Sequence, residues 1–70
     1  MRTTQLDRMI GQYCKIVMKE PGDEKAHTVT GIIKEIDHHA RFITVKSNNG
    51  FWCLNIDAIV AIKPKKKMYT

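Results

Sequence analysis

Seventy residues, 43% of them hydrophobic, with twelve Lys and Arg against seven Asp and Glu, give a net charge of +5. Those totals exclude a multidomain chain, a disordered chain poor in apolar residues and, with no apolar run near the ~20 residues of a membrane span, a helical membrane protein. They favour an anionic partner, nucleic acid before others, and the stretch Lys63-Pro64-Lys65-Lys66-Lys67 gathers part of the charge at one end.

In chain order, Thr3 and Thr4 suit a helix cap, Asp7 suits the positive end of a helix dipole, and Leu6, Met9 and Ile10 fall at i, i+3, i+4. The spacing predicts a short amphipathic α-helix over residues 3–10, stopped by Gly11. From Gln12 the period becomes two: Cys14, Ile16 and Met18 alternate with Lys15 and Lys19, predicting a strand from Tyr13. Glu20-Pro21-Gly22-Asp23-Glu24-Lys25 is a loop signal. A second strand follows over about 27–36, with Gly31 marking a bend or bulge. Asp37-His38-His39-Ala40 connects it to a third strand, Arg41-Phe42-Ile43-Thr44-Val45-Lys46, and Asn49-Gly50 predicts a hairpin into a fourth, Phe51 to Ile56. Asp57-Ala58 breaks the pattern, and Ile59 to Lys63 forms a fifth strand ended by Pro64.

These links are too short for parallel crossovers, so the sheet is expected to be antiparallel. The fold class is therefore mostly β: an N-terminal α-helix (3–10), then a strongly bent five-stranded antiparallel sheet curled into a small SH3-like barrel (12–63), then a basic tail (64–70), all in one domain. A chain of this length buries only about 60% of its unfolded surface, and such domains commonly take added support from disulfides, metals or association. Cys14 and Cys53 are far apart and form no C-x-x-C, so both are expected to act as buried small hydrophobes. Association is then the support that remains. With no secretory segment at the first residues, a soluble, cytoplasmic protein is expected. No phosphate loop, nucleophile elbow, carboxylate pair or metal box is evident, so neither an enzyme nor a cofactor or metal site is expected.

The run Gly31-Ile32-Ile33-Lys34-Glu35-Ile36-Asp37-His38-His39-Ala40-Arg41-Phe42-Ile43 resembles the first motif of the Sm-like family, a glycine followed by spaced aliphatics and an aspartate. Ala40 stands at the family's hydrophobic position and Arg41 at its usual Asn. The second motif is kept only as the closing run Cys53-Leu54-Asn55-Ile56-Asp57-Ala58-Ile59-Val60-Ala61-Ile62, without the usual dipeptide. The resemblance implies a homo-oligomeric ring, closed by pairing the fourth strand of one copy with the fifth of the next, with Ile59, Val60, Ala61 and Ile62 at that interface. It also implies that the turn after Asp37 faces a central pore where single-stranded RNA binds.

On that resemblance His39 is the base-stacking residue and Arg41 takes the place of the base-contacting Asn. The candidate RNA-binding set is His39, Arg41, His38 and Asn55. Stacking of splayed bases on aromatic or guanidinium planes suits single strands and is worth about 1–3 kcal/mol per base. Arg41 donates only, so it cannot accept from a base edge as Asn does, and less selective binding is expected. Gly31 and Asp37 are expected to shape the bend and the turn, with a salt bridge between Asp37 and Arg41 a further expectation. His38 on its own reads as a solvated turn residue, and Phe51 and Trp52 as core or interface packing residues. The alternative to an RNA-binding ring is an SH3-like interaction or assembly module that binds no RNA; a third reading has the lysines gripping duplex DNA.

Overall fold

The computed structural model describes residues 6–65. Within them, alternating apolar and polar residues build five strands: β1 (Tyr13–Met18), β2 (His27–Asp37), β3 (Phe42–Ser47), β4 (Gly50–Asn55) and β5 (Ile59–Pro64). They form one antiparallel sheet in the order β4-β3-β2-β1-β5. The period of two puts Cys14, Ile16, Met18, Ile33, Ile43, Val45 and Leu54 on one buried face, joined by Ile56, Ala58 and Leu6. The opposite face is open.

A single sheet can bury its own face only by bending. β2 supplies the bend. Its first half pairs with β1, from Met18↔His27 to Tyr13↔Ile32, and its second half pairs with β3, from Ile32↔Lys46 to Asp37↔Phe42. The register slips between Ile33 and Glu35, which is a bulge. Gly31 sits just before it, where β2 runs so close to β3 that a Cβ would lie against the Lys46 carbonyl oxygen and 2.8 Å from Val45 Cγ1.

Two expectations about the architecture need correction. The expected α-helix over 3–10 is not formed as an element among the described residues: positions 3–5 lie outside them, only Leu6 and Asp7 have α-helical backbone, and from there i→i+3 turns lead into β1, Met9 N to Leu6 O at 2.9 Å, Ile10 N to Asp7 O at 3.3 Å and Gln12 N to Met9 O at 3.0 Å. A helix of two turns is marginal by itself, and here only Leu6 is fully buried while Ile10 is largely exposed. The segment is instead tied to the sheet, with Gly11 N donating to Ile33 O and Ile33 N to Gln12 O. The sheet also does not close into a barrel: β4 and β5 are its two edges and do not pair with each other. The bend at Gly31 curls the middle of the sheet, and nothing brings the outer strands together.

Smaller differences concern the turns. Ser47 pairs with Gly50, so Asn48 and Asn49 form the hairpin loop, and Gly50 (φ 115°) rather than either Asn takes positive φ. Ile56–Ala58 is a single 3-10 turn whose Asp57 N–H is capped by the Asn55 side chain. Pro64 is the last residue of β5 and not the first beyond it. It lies opposite Cys14, and Lys65 N still donates to Tyr13 O at 2.7 Å. Strand N–H groups alternate sides, so the Pro64 nitrogen faces the open side of the edge, where no ladder bond is lost. Of the expected basic tail over 64–70, residues 66–70 lie outside the described residues.

Gly31→Ala forces a Cβ into backbone that cannot yield as a side chain would. It is expected to lower stability by about 1–3 kcal/mol or more, read from urea or thermal unfolding followed by circular dichroism.

Candidate functional site

The β2–β3 connection is built by its first residue. Asp37 Oδ1 accepts the Ala40 N–H at 2.8 Å, and Asp37 O accepts the Arg41 N–H at 2.9 Å. These two bonds close the turn and leave its tip, His38-His39-Ala40, facing solvent. Arg41 ends it in the left-handed region at φ 65°, the one positive φ of a non-glycine among the described residues. Asn and Gly tolerate that conformation better than Arg. Its carbonyl then accepts the Ile56 N–H at 3.0 Å, fastening the turn to the 3-10 turn after β4.

That junction gives Arg41 its partner. Its guanidinium Nη2 donates to Asp57 Oδ1 at 2.7 Å, and the Asp57 N–H is held by Asn55 Oδ1 at 3.0 Å. The expected Asp37–Arg41 salt bridge is not the pair formed, because Asp37 is occupied by the turn's own backbone. The hydrogen bond from Arg41, reinforced by its charge, holds the Asp57 carboxyl below the usual carboxylate range, and the same pair pushes the Arg41 guanidinium up.

His38 is not simply solvated. Its Nε2 lies 2.6 Å from Asp7 Oδ1, joining the β2–β3 turn to the N-terminal turns. His39 is exposed and makes no hydrogen bond or ion pair with the described residues. Of the candidate RNA-binding residues, Arg41 and Asn55 therefore meet through Asp57, His38 is turned toward Asp7, and His39 stands at the tip. Asp57 and Asp7 carried no local signal; each reaches its partner only through the fold, Asp57 from 16 residues away and Asp7 from 31.

Ile59, Val60, Ala61 and Ile62 lie on the edge strand β5. Ile59 and Ile62 pack on the core, while Val60 is 63% exposed. On the other edge, Phe51 is 68% and Trp52 46% exposed, so neither packs in the core, and the indole N–H donates to Ser47 Oγ at 2.9 Å. Both cysteines are free: Cys14 is buried, and burial pushes its thiol up, whereas Cys53 is exposed on β4 rather than buried as expected. Among the described residues no three His, Cys, Asp or Glu side chains are grouped to hold a metal ion, and no helix is long and apolar enough to cross a membrane.

No protein-family profile, curated protein or solved structure matches the chain.

The folded Asp57 carboxyl titrates below its unfolded value, so the pair stabilises the fold above pH ~3.9 and the gain is lost as pH falls through the lowered folded value. At pH 7 Asp57→Asn is expected to melt slightly below the wild-type chain. The difference should narrow as pH falls below ~3.9 through the lowered folded value, as read from paired thermal melts.

Proposed function

We propose that this is an Sm-like protein whose copies associate through their sheet edges into a homo-oligomeric ring and bind single-stranded RNA at the Asp37–Arg41 turn. The observation that carries the reading is the strand order. It leaves one edge at β4 and the other at β5, both bearing exposed apolar side chains, Trp52 on one and Val60 on the other. Unpaired edges of this kind are templates for another strand, and joining the two kinds head to tail removes both when the ring closes.

Within such a ring every copy presents one turn with an exposed imidazole at its tip. A base stacks on His39, and repetition of a modest contact around the ring raises the avidity for one strand. Arg41 keeps its planar guanidinium beside Asn55 and Asp57, so it serves the RNA by stacking or by a phosphate contact through the N–H groups that Asp57 leaves free. The paired carboxylate lowers its net charge contribution, in keeping with weak base selectivity.

Two measurements test the reading. Val60→Lys places a charge on the exposed edge without touching the core, and is expected to reduce the ring mass to that of single copies by native mass spectrometry. A wild-type protein that is already monomeric at micromolar concentration defeats the assembly. His39→Ala is expected to weaken U-rich or A-rich RNA several-fold in fluorescence anisotropy, with steep salt dependence in the wild type. Absence of RNA binding by an assembled wild-type ring would instead support a protein-assembly module.

A further inference from the structure

The open face of the sheet holds a pattern unrelated to the turn. The register aligns one residue from each of four strands in a row: Tyr13 of β1 opposite Ile32 of β2, Ile32 opposite Lys46 of β3, and Lys46 opposite Phe51 of β4. At ~4.8 Å between strands the row spans about 14 Å. Beside it a second row runs Lys63, Lys15, Thr30 across β5, β1 and β2. Lys34 lies two residues along β2 from Ile32. Tyr13, Thr30, Ile32, Lys34, Lys46 and Ser47 line a shallow groove of about 320 Å³.

The lysines of this face, Lys15, Lys34, Lys46 and Lys63, stand without ion-pair partners among the described residues. Lys15 stands directly opposite Lys63, an arrangement that costs a sheet stability. The same face also carries Glu35, opposite Thr44, and Asp37, at the far end opposite Phe42 and engaged in its turn. The Lys46 ammonium sits 6.0 Å over the ring of Phe51, whose side chain is otherwise open to solvent. Unpaired cations in a groove, next to an exposed aromatic ring, match the chemistry of a single nucleic-acid strand: phosphates for the lysines and a base for the ring. An acidic peptide would meet the charges but leave Phe51 unused.

We infer that the open face is a second track for single-stranded nucleic acid, with Lys34 and Lys46 holding phosphates and Phe51 stacking a base. Along β3 it lies ~16 Å from Arg41, at about 3.3 Å per residue. The track is separate from the turn, and it stands whether or not the turn binds RNA.

The test is fluorescence anisotropy of the full chain with a short labelled U-rich RNA, as a function of salt. Lys34→Gln with Lys46→Gln is expected to weaken binding at least fivefold and to make the logarithmic salt dependence shallower by about 1.4, the value for two single-strand phosphate contacts. Lys19→Gln with Lys25→Gln removes the same charge from the β1–β2 link and is expected to cost less than twofold. Phe51→Ala, at a side chain 68% exposed, is expected to weaken RNA about fivefold or more while leaving thermal unfolding unchanged. Equal losses in the two lysine pairs would reduce the effect to net charge and overturn the track. So would full affinity in Phe51→Ala, or binding of a poly-glutamate of equal charge as tight as that of RNA. His39→Ala in the same titrations separates the two surfaces: its failure to weaken binding removes the turn and leaves the track, whereas its loss with both track variants intact removes the track and leaves the turn.

Discussion

The fold depends on one close approach, the passage of β2 over β3 at Gly31. With hydrogen in place of a side chain there, the β2 backbone comes down onto the Lys46 carbonyl and the Val45 methyl. The bulge that follows lets the same eleven-residue strand serve β1 with one half and β3 with the other. Without that bend, one face of a lone sheet would lie open to water. With it, Ile16, Ile33, Ile43 and Val45 lose all contact with solvent. The core contains no buried polar or charged side chain among the described residues, so its cohesion is apolar contact and backbone ladder alone.

The β2–β3 turn inherits its rigidity from this frame. Asp37 closes it from within and Arg41 clamps it from outside, by a backbone bond to the 3-10 turn and a side-chain pair to Asp57. Its tip is thus an exposed imidazole on a fixed mount. A rigid mount reduces the ordering cost that a loop pays on binding. The edges and the open face serve the same economy. A domain this small has little core to spare, so its polar and aromatic surface is concentrated on one side of the sheet and its unsatisfied backbone at the two ends.

Much of the strand layout was legible because alternation in Cys14-Ile16-Met18 and in Ile43-Val45 is a direct imprint of a half-buried sheet, and Gly31 stood out in the middle of such a run. The N-terminal helix was not, because Leu6, Met9 and Ile10 fit successive i→i+3 turns as well as an α-helix when a single side chain is all that must be buried. Closure of the sheet was not legible either. Local bending is written at one glycine, but whether the outer strands meet depends on the summed twist of every strand. In the candidate site, the bonds of Asp37 to its own turn follow from local chemistry, whereas the partners of Arg41 and His38 are long-range and carry no mark in their neighbours. The row Tyr13, Ile32, Lys46, Phe51 becomes visible only once the register is known, since those residues come from four separate strands.

Pro64 has a consequence for any strand that adds to β5. Its nitrogen is directed outward and carries no hydrogen, so the incoming backbone finds no donor at that rung. The free margin therefore has a built-in end-stop: an added strand can engage the stretch before the proline but cannot slide past it. Such a block limits how far an added strand can overlap this edge.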